Sequence, residues 1–258
     1  MLNLGEPDWE GMARNREQPT GRPVMLQTWH DLIFIHARVP VDILQQMVPP
    51  ELTVEQFDGS GWVGVVPFRM SGIRPLIGPP MPVLSSFYET NVRTYVTHPN
   101  NGPGVWFFSL EAAQFLACWY ARQIFKLPYF YATMSGDIDK EMWRYQGRRN
   151  QKQRLPPVAG TTADLENYEI STHIKGPWHH AEEESFEWWL LERYRLYSSG
   201  VGERLITARV FHVPYTVAEA NLTQVLIEGL EPQFGKLDFT SVLVAKTINV
   251  ECFSPQKV

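Results

Sequence analysis

Glu89, Asn91, Arg93 and Tyr95 stand two residues apart in the segment FYETNVRTYV. Side chains alternate along a strand, so an extended segment puts these four on one face and Tyr88, Thr90, Val92, Thr94 and Val96 on the other. Such a polar row reads in two ways: the solvated side of a sheet, or the lining of a barrel interior. Glu89 and Arg93 are separated by roughly 13 Å of strand and do not readily neutralise each other. If buried, each must face another strand or a ligand. Lys246 alternates with Val242, Val244, Ile248 and Val250; it is either an amine nucleophile with a pKa depressed by desolvation or a stem that snorkels past a rim. His179-His180 lies beside Glu182, Glu183 and Glu184, but adjacent histidines on a strand point oppositely and no third ligand follows at suitable spacing. No metal site is expected there. No GxGxxG, GxxxxGK[ST], GxSxG or HExxH occurs, which removes the usual support for nucleotide, serine-hydrolase and zincin readings.

The chain around these residues has 258 positions, 44% of them hydrophobic and 20% charged, and a formal net charge of -5. The apolar fraction excludes a disordered chain, and the acidic balance argues against a nucleic-acid partner, which needs a dense basic field. Cys118 and Cys252 share no CxxC spacing and read as buried thiols of a reduced, cytoplasmic protein. No apolar run approaches the roughly 18 residues of a membrane span. Nine Trp, ten Tyr and fourteen Phe suit twisted sheets and wide apolar interiors.

The elements that must position the candidates are mostly strands. Residues 1–24 read as an N-terminal surface arm, and 25–258 as a single domain. A strand covers Met25–Val39, with Leu32, Phe34 and His36 opposite Ile33, Ile35 and Ala37. Val41–Val48 forms a short helix stopped by Pro49-Pro50. LTVEQF and WVGVVPF flank Asp58-Gly59 as a hairpin, and Phe87–Thr97 pairs with Val105–Ser109. Glu111–Phe125 has the period of an amphipathic helix. FYATM and MWRYQ are strands around Ser135-Gly136-Asp137, and the polar run 148–157 is a loop. Glu184–Leu196 is a second helix, acidic at its start and basic at its end. Strands close the chain at Leu205–Val213 and Ser241–Phe253. The order predicts an α+β domain with a closed or nearly closed sheet.

The segments FDGSGWVGVVPFRM, FYETNVRTYV, GPGVWFFSLEAA, ARQIFKLPY, ERYRLYS and FHVPYTVAEA, in that order, resemble the YqjF-like proteins, an uncharacterised family of the acetoacetate decarboxylase-like superfamily. They span most of residues 25–220. The resemblance implies an acetoacetate decarboxylase-like, mixed but mainly antiparallel β-barrel or cone with flanking helices and an interior funnel, and it turns the Glu89 row inward. Acetoacetate decarboxylases use a Schiff-base lysine directly after a proline. Here ARQIFKLPYF keeps Arg122 and Pro128 but puts Tyr129 and Phe130 where lysines would stand. A phenol forms no imine, so that mechanism is lost at this position.

The expected interior then holds Glu89 as the candidate catalytic general base and Lys246 as a weaker alternative. Asn91, Arg93, Tyr95, Arg122, Tyr129 and Tyr131 are the candidate ligand-binding groups. Arginine's planar fork matches a carboxylate, so a small organic or keto acid is the expected partner. Arg122 has a second reading, a salt bridge tying helix to barrel. No cofactor is expected, and self-association is left open. As an enzyme the protein would be lyase- or hydrolase-like. The rival functions are a non-catalytic sensor or carrier, and a structural protein whose cavity is filled by Tyr129, Tyr131, Trp62 and Phe107.

Overall fold

Strand alternation sorts the apolar residues into two separate cores. In β2 (Leu32–Val39), Leu32 and Phe34 enter one core while Ile33 and Ile35 enter the other. β4 (Gly61–Pro75) divides the same way, Trp62, Val66 and Phe68 against Val63 and Val65. A strand with two apolar faces must be covered on both sides. The computed structural model, which describes residues 5–76, 86–150, 163–199 and 204–258, shows how.

Among the described residues, fifteen strands form one sheet that closes twice. The first ring runs through β1 (Met25–His30), β14 (Ile248–Cys252), β11 (Leu205–Phe211), β10 (Arg195–Ser199), β6 (Gly102–Ala112), β5 (Ser86–His98) and β4, which returns to β1. The second leaves β6 through β7 (Tyr129–Ile138), β8 (Met142–Arg149), β9 (Asn167–Ile174), β12 (Val217–Glu228) and β13 (Phe239–Ala245), then returns through β2 to β4 and β5. Most pairings are antiparallel, but β6 pairs in parallel with β7 and β10. β3 (Thr53–Val54) and β15 (Gln256–Lys257) are short edge additions. This is the mixed, mainly antiparallel α+β cone expected from the sequence, with three strands, β4 to β6, common to both rings.

Local departures from the expected elements have identifiable causes. The first strand breaks at Asp31, whose φ is 54°, and α2 (Val41–Gln45) follows Pro40. The hairpin at Asp58-Gly59 reduces to a single Phe57–Ser60 bridge. The turn residues do take positive φ, 56° and 67°, but Thr53–Val54 pairs with β5 instead. Ser135-Gly136-Asp137 lies inside β7, not in a turn. Glu111 and Ala112 are the end of β6, held by pairing to β7; α3 (Phe115–Ile124) begins only where Gln114 caps the Leu116 amide. The second helix shortens to α4 (Phe186–Leu191), capped by Ser185, because residues 195–199 are drawn into the first ring as β10. The Ser241–Phe253 strand splits around Lys246 and Thr247 into β13 and β14. Of the polar run 148–157, residues 151–157 lie outside the described set, and Arg148–Arg149 complete β8.

The N-terminal segment carries α1 (Trp9–Arg16), whose Met12 is buried in the first core. α4 brings Trp188 and Trp189 into that core. α5 (Glu231–Phe234) sends Phe234 into the second. No helix among the described residues is long and apolar enough to cross a membrane.

Candidate functional site

The first ring is hollow. Its cavity, about 140 Å³, is lined by Glu89, Asn91, Arg93, Tyr129 and mainly apolar residues of β1, β2, β4, β6, β11 and α3. Glu89, Asn91, Arg93 and Tyr95 are all buried and share the inner face of β5, while Thr90 bonds outward to Tyr168. The solvated-face reading of this row is therefore excluded.

At one end the Tyr129 hydroxyl donates to Glu89 Oε2 at 2.8 Å. β6 and β7 set this contact: Asn91 pairs with Leu110, and Leu110 with Tyr129. Burial pushes the Glu89 carboxyl up to about 8, the Tyr129 hydrogen bond pulls it down, and Glu111 pushes it up again. Glu89 is thus mainly protonated at neutral pH and is placed to give a proton rather than take one. Burial and then Glu89 drive the Tyr129 phenol well upward. Glu111, on the opposite face, rises to about 7 by burial, opposed by its ion pair with Arg149.

At the other end Arg93 leans away from Glu89. Its Nη2 donates to the Leu190 carbonyl at 3.2 Å and lies 3.5 Å from the Tyr95 hydroxyl. Among the described residues no carboxylate comes within ion-pair distance of it, and its buried Nε has no partner. Asn91 Oδ1 is likewise buried without a partner. The Phe34 ring lies 5.4 Å from the guanidinium carbon. Tyr95 closes this end, its hydroxyl 2.6 Å from His36 Nε2 and its ring 4.6 Å from Trp189. Burial and then Arg93 hold His36 well below the usual histidine range.

Gly64 pairs with Arg93 across β4 and β5, and a Cβ there would meet His36 Cδ2 at 2.9 Å. Gly64→Ala is expected to cost about 1–3 kcal/mol in urea unfolding, because His36 cannot retreat from a packed core. A loss below ~0.3 kcal/mol would contradict this packing.

Several groups read from the sequence are not at the cavity. Arg122 is buried, but its Nη1 donates to the Tyr129 carbonyl at 3.0 Å; it ties α3 to β7 through backbone rather than through a carboxylate. Tyr131 is half-buried, edge-on to Phe115. Lys246 falls where β13 gives way to β14, so the alternation that would have turned it inward is lost. It is exposed, with Nζ 4.6 Å from the Trp178 ring centroid. His179 pairs with Glu187 at 2.8 Å and His180 with the Tyr215 carbonyl. No cluster of three or more metal-ligating side chains occurs among the described residues. Of the expected aromatic fillers, Trp62 packs on Phe186 and does not line the cavity, whereas Tyr129 and Phe107 do line it.

Sequence reasoning missed Arg193 and Glu55. Arg193 Nη1 donates to Glu55 Oε2 at 2.8 Å, and both are buried. Trp189 Nε1 donates to the same oxygen at 2.9 Å. Burial raises Glu55, and Arg193 opposes that rise. Arg195 and Arg209 also border the cavity, but their guanidinium groups are held by Thr207, Asn15 and the Glu17 carbonyl. The ERYRLYS segment had Arg193 and Arg195 in view. Reading it as the end of a helix hid that they enter a ring.

The pH dependence follows from Glu89. Its folded pKa lies above the unfolded value of 4.5, so the folded state keeps a proton that the unfolded chain has lost. Stability is therefore largest below the unfolded value and falls as pH rises towards about 8. Glu111 contributes with the same sign up to about 7. Glu89→Gln is expected to flatten the fall of Tm between about pH 5 and pH 8 and to raise Tm most at the alkaline end. An unchanged slope in calorimetry would place the proton elsewhere.

A doubly closed sheet around a funnel is the fold of acetoacetate decarboxylase-like structures. The fold seen here matches the acetoacetate decarboxylase of Legionella pneumophila with a TM-score of 0.62 at 11% identity, over 96% of this chain and 95% of that one. It matches the enduracididine biosynthesis enzyme MppR complexed with pyruvate at 0.59 and 13% identity, over 93% of each chain. An acetoacetate decarboxylase-like enzyme from Sphingomonas wittichii RW1 gives 0.62 at 9% identity, over 92% and 94%. The chain belongs to the DUF2071 family of uncharacterized conserved proteins, whose model matches residues 26–247. The uncharacterized protein YqjF of Bacillus subtilis (strain 168) is 34% identical over 207 residues, 80% of each chain.

Proposed function

We propose that this protein binds a small organic carboxylate in the first ring and acts on it, if at all, without a Schiff base. Arg93 carries the reading: a guanidinium buried beside a cavity, with no carboxylate of its own among the described residues. An unpaired buried charge is costly, and a ligand carboxylate would remove that cost through a fork-shaped pair of hydrogen bonds. Glu89, neutral and oriented by Tyr129, gives its proton to an oxygen of the bound molecule. The Tyr129 hydroxyl then stabilises the carboxylate left behind. That MppR is complexed with pyruvate supports a carboxylate as the recognised group.

Borohydride reduction in the presence of pyruvate and acetoacetate, followed by mass spectrometry, tests the absence of imine chemistry. Unmodified protein is the expected result; an adduct on any lysine would overturn it. Glu89→Gln separates enzyme from carrier, since retained binding with lost turnover assigns Glu89 to catalysis.

A further inference from the structure

We infer that the cavity is built for an extended carboxylate with an apolar body and a neutral oxygen at its far end, not for a short polar acid. The inference rests on the carboxylate reading above and adds the length and polarity of the ligand.

Length follows from the divergence of the two polar ends. Glu89 and Arg93 lie four residues apart, roughly 13 Å along the strand. Their side chains do not converge, because Glu89 turns to Tyr129 and Arg93 turns to Leu190 and Tyr95. A ligand that hydrogen-bonds to both groups must therefore carry oxygens several bonds apart. An α-keto acid carries its oxygens on adjacent carbons and cannot touch both ends. The volume agrees: 140 Å³ is space for about ten water-sized positions, which suits a chain of about that many non-hydrogen atoms.

Charge follows from the arginines. Arg193 has Glu55, while Arg195 and Arg209 are held by groups of β11 and the N-terminal segment. Arg93, Arg195 and Arg209 donate only to neutral oxygens and none has a carboxylate partner among the described residues, so the cavity is bordered by positive charge that a ligand carboxylate would match. Polarity follows from the walls between the ends, where Trp29, Phe34, Phe68, Phe87 and Leu110 line the cavity. A small dianion would leave these surfaces wet, whereas methylenes laid along them gain from burial.

Isothermal titration of the full chain at neutral pH with butyrate, octanoate, 7-oxooctanoate, octanedioate and pyruvate tests each part. Octanoate is expected to bind tighter than butyrate by on the order of a hundredfold, from the added buried methylenes. 7-Oxooctanoate is expected to gain about another three- to tenfold from the neutral hydrogen bond at Glu89. That last gain should vanish in a Tyr129→Phe, Glu89→Leu double variant. Butyrate or pyruvate binding as tightly as octanoate would overturn the length and polarity while leaving the carboxylate reading intact. Octanedioate matching 7-oxooctanoate would overturn the neutrality of the far oxygen. Equal binding of octanoate and 7-oxooctanoate would overturn the far oxygen. Failure of all five to bind, or unchanged binding by Arg93→Met, would overturn the carboxylate reading itself.

Discussion

Arg93→Met is expected to weaken carboxylate binding by about a hundredfold or more while leaving the fold at least as stable as its parent. The two halves of this outcome have one cause. In the ligand-free protein the guanidinium has weak hydrogen bonds to Leu190 and Tyr95 and no carboxylate partner among the described residues. Replacing it with an apolar chain of similar length removes a desolvation penalty and gives up little. In the bound state the same replacement removes the group that matches the ligand charge. Titration with octanoate reads the first half and urea unfolding the second. A destabilised variant that still binds would show Arg93 to be structural.

Arg193→Met, at a neighbouring position of the same wall, is expected to do the opposite and cost about 3–5 kcal/mol of stability. Glu55 would be left buried with only the Trp189 indole donating to it, and its Oε1 already has no partner. Burial already raises Glu55, so acidification should restore part of the loss: the stranded carboxylate takes a proton. Adding Glu55→Leu to Arg193→Met should recover most of the stability at neutral pH, because removing both partners is far milder than removing one. Denaturant unfolding of the two variants at neutral and acidic pH decides it. Equal stabilities throughout would mean the pair is hydrated.

The sequence carried the inner row of β5 because alternation is a local property. Residues 89, 91, 93 and 95 share a face in any extended segment, and what remained open was which face looked inward. The substitution of Tyr129 for an amine was equally local. What stayed hidden depends on distance along the chain. Glu55 and Arg193 are 138 residues apart, and no pattern around either announces the other. β12 eluded the reading for a different reason. Its burial falls away after Ala220 into a largely exposed run, so neither face is apolar enough to show a period. The error at Glu184–Leu196 arose from charges that flatter a helix dipole. The pairing of Leu196 and Tyr197 with Val105 and Trp106 outweighed them.

Because β4, β5 and β6 serve as a party wall between two rings, neither compartment has an independent history during synthesis. The first ring is completed by β14 lying between β1 and β11, strands that leave the ribosome far apart in time. Until Cys252 has emerged, the funnel is an open trough with unpaired edges and an apolar floor, the kind of surface that aggregates or recruits chaperones. Pairings this remote also make for slow closure. A shortage of folding assistance would therefore show first as lost soluble protein, well before any change in what the finished molecule binds.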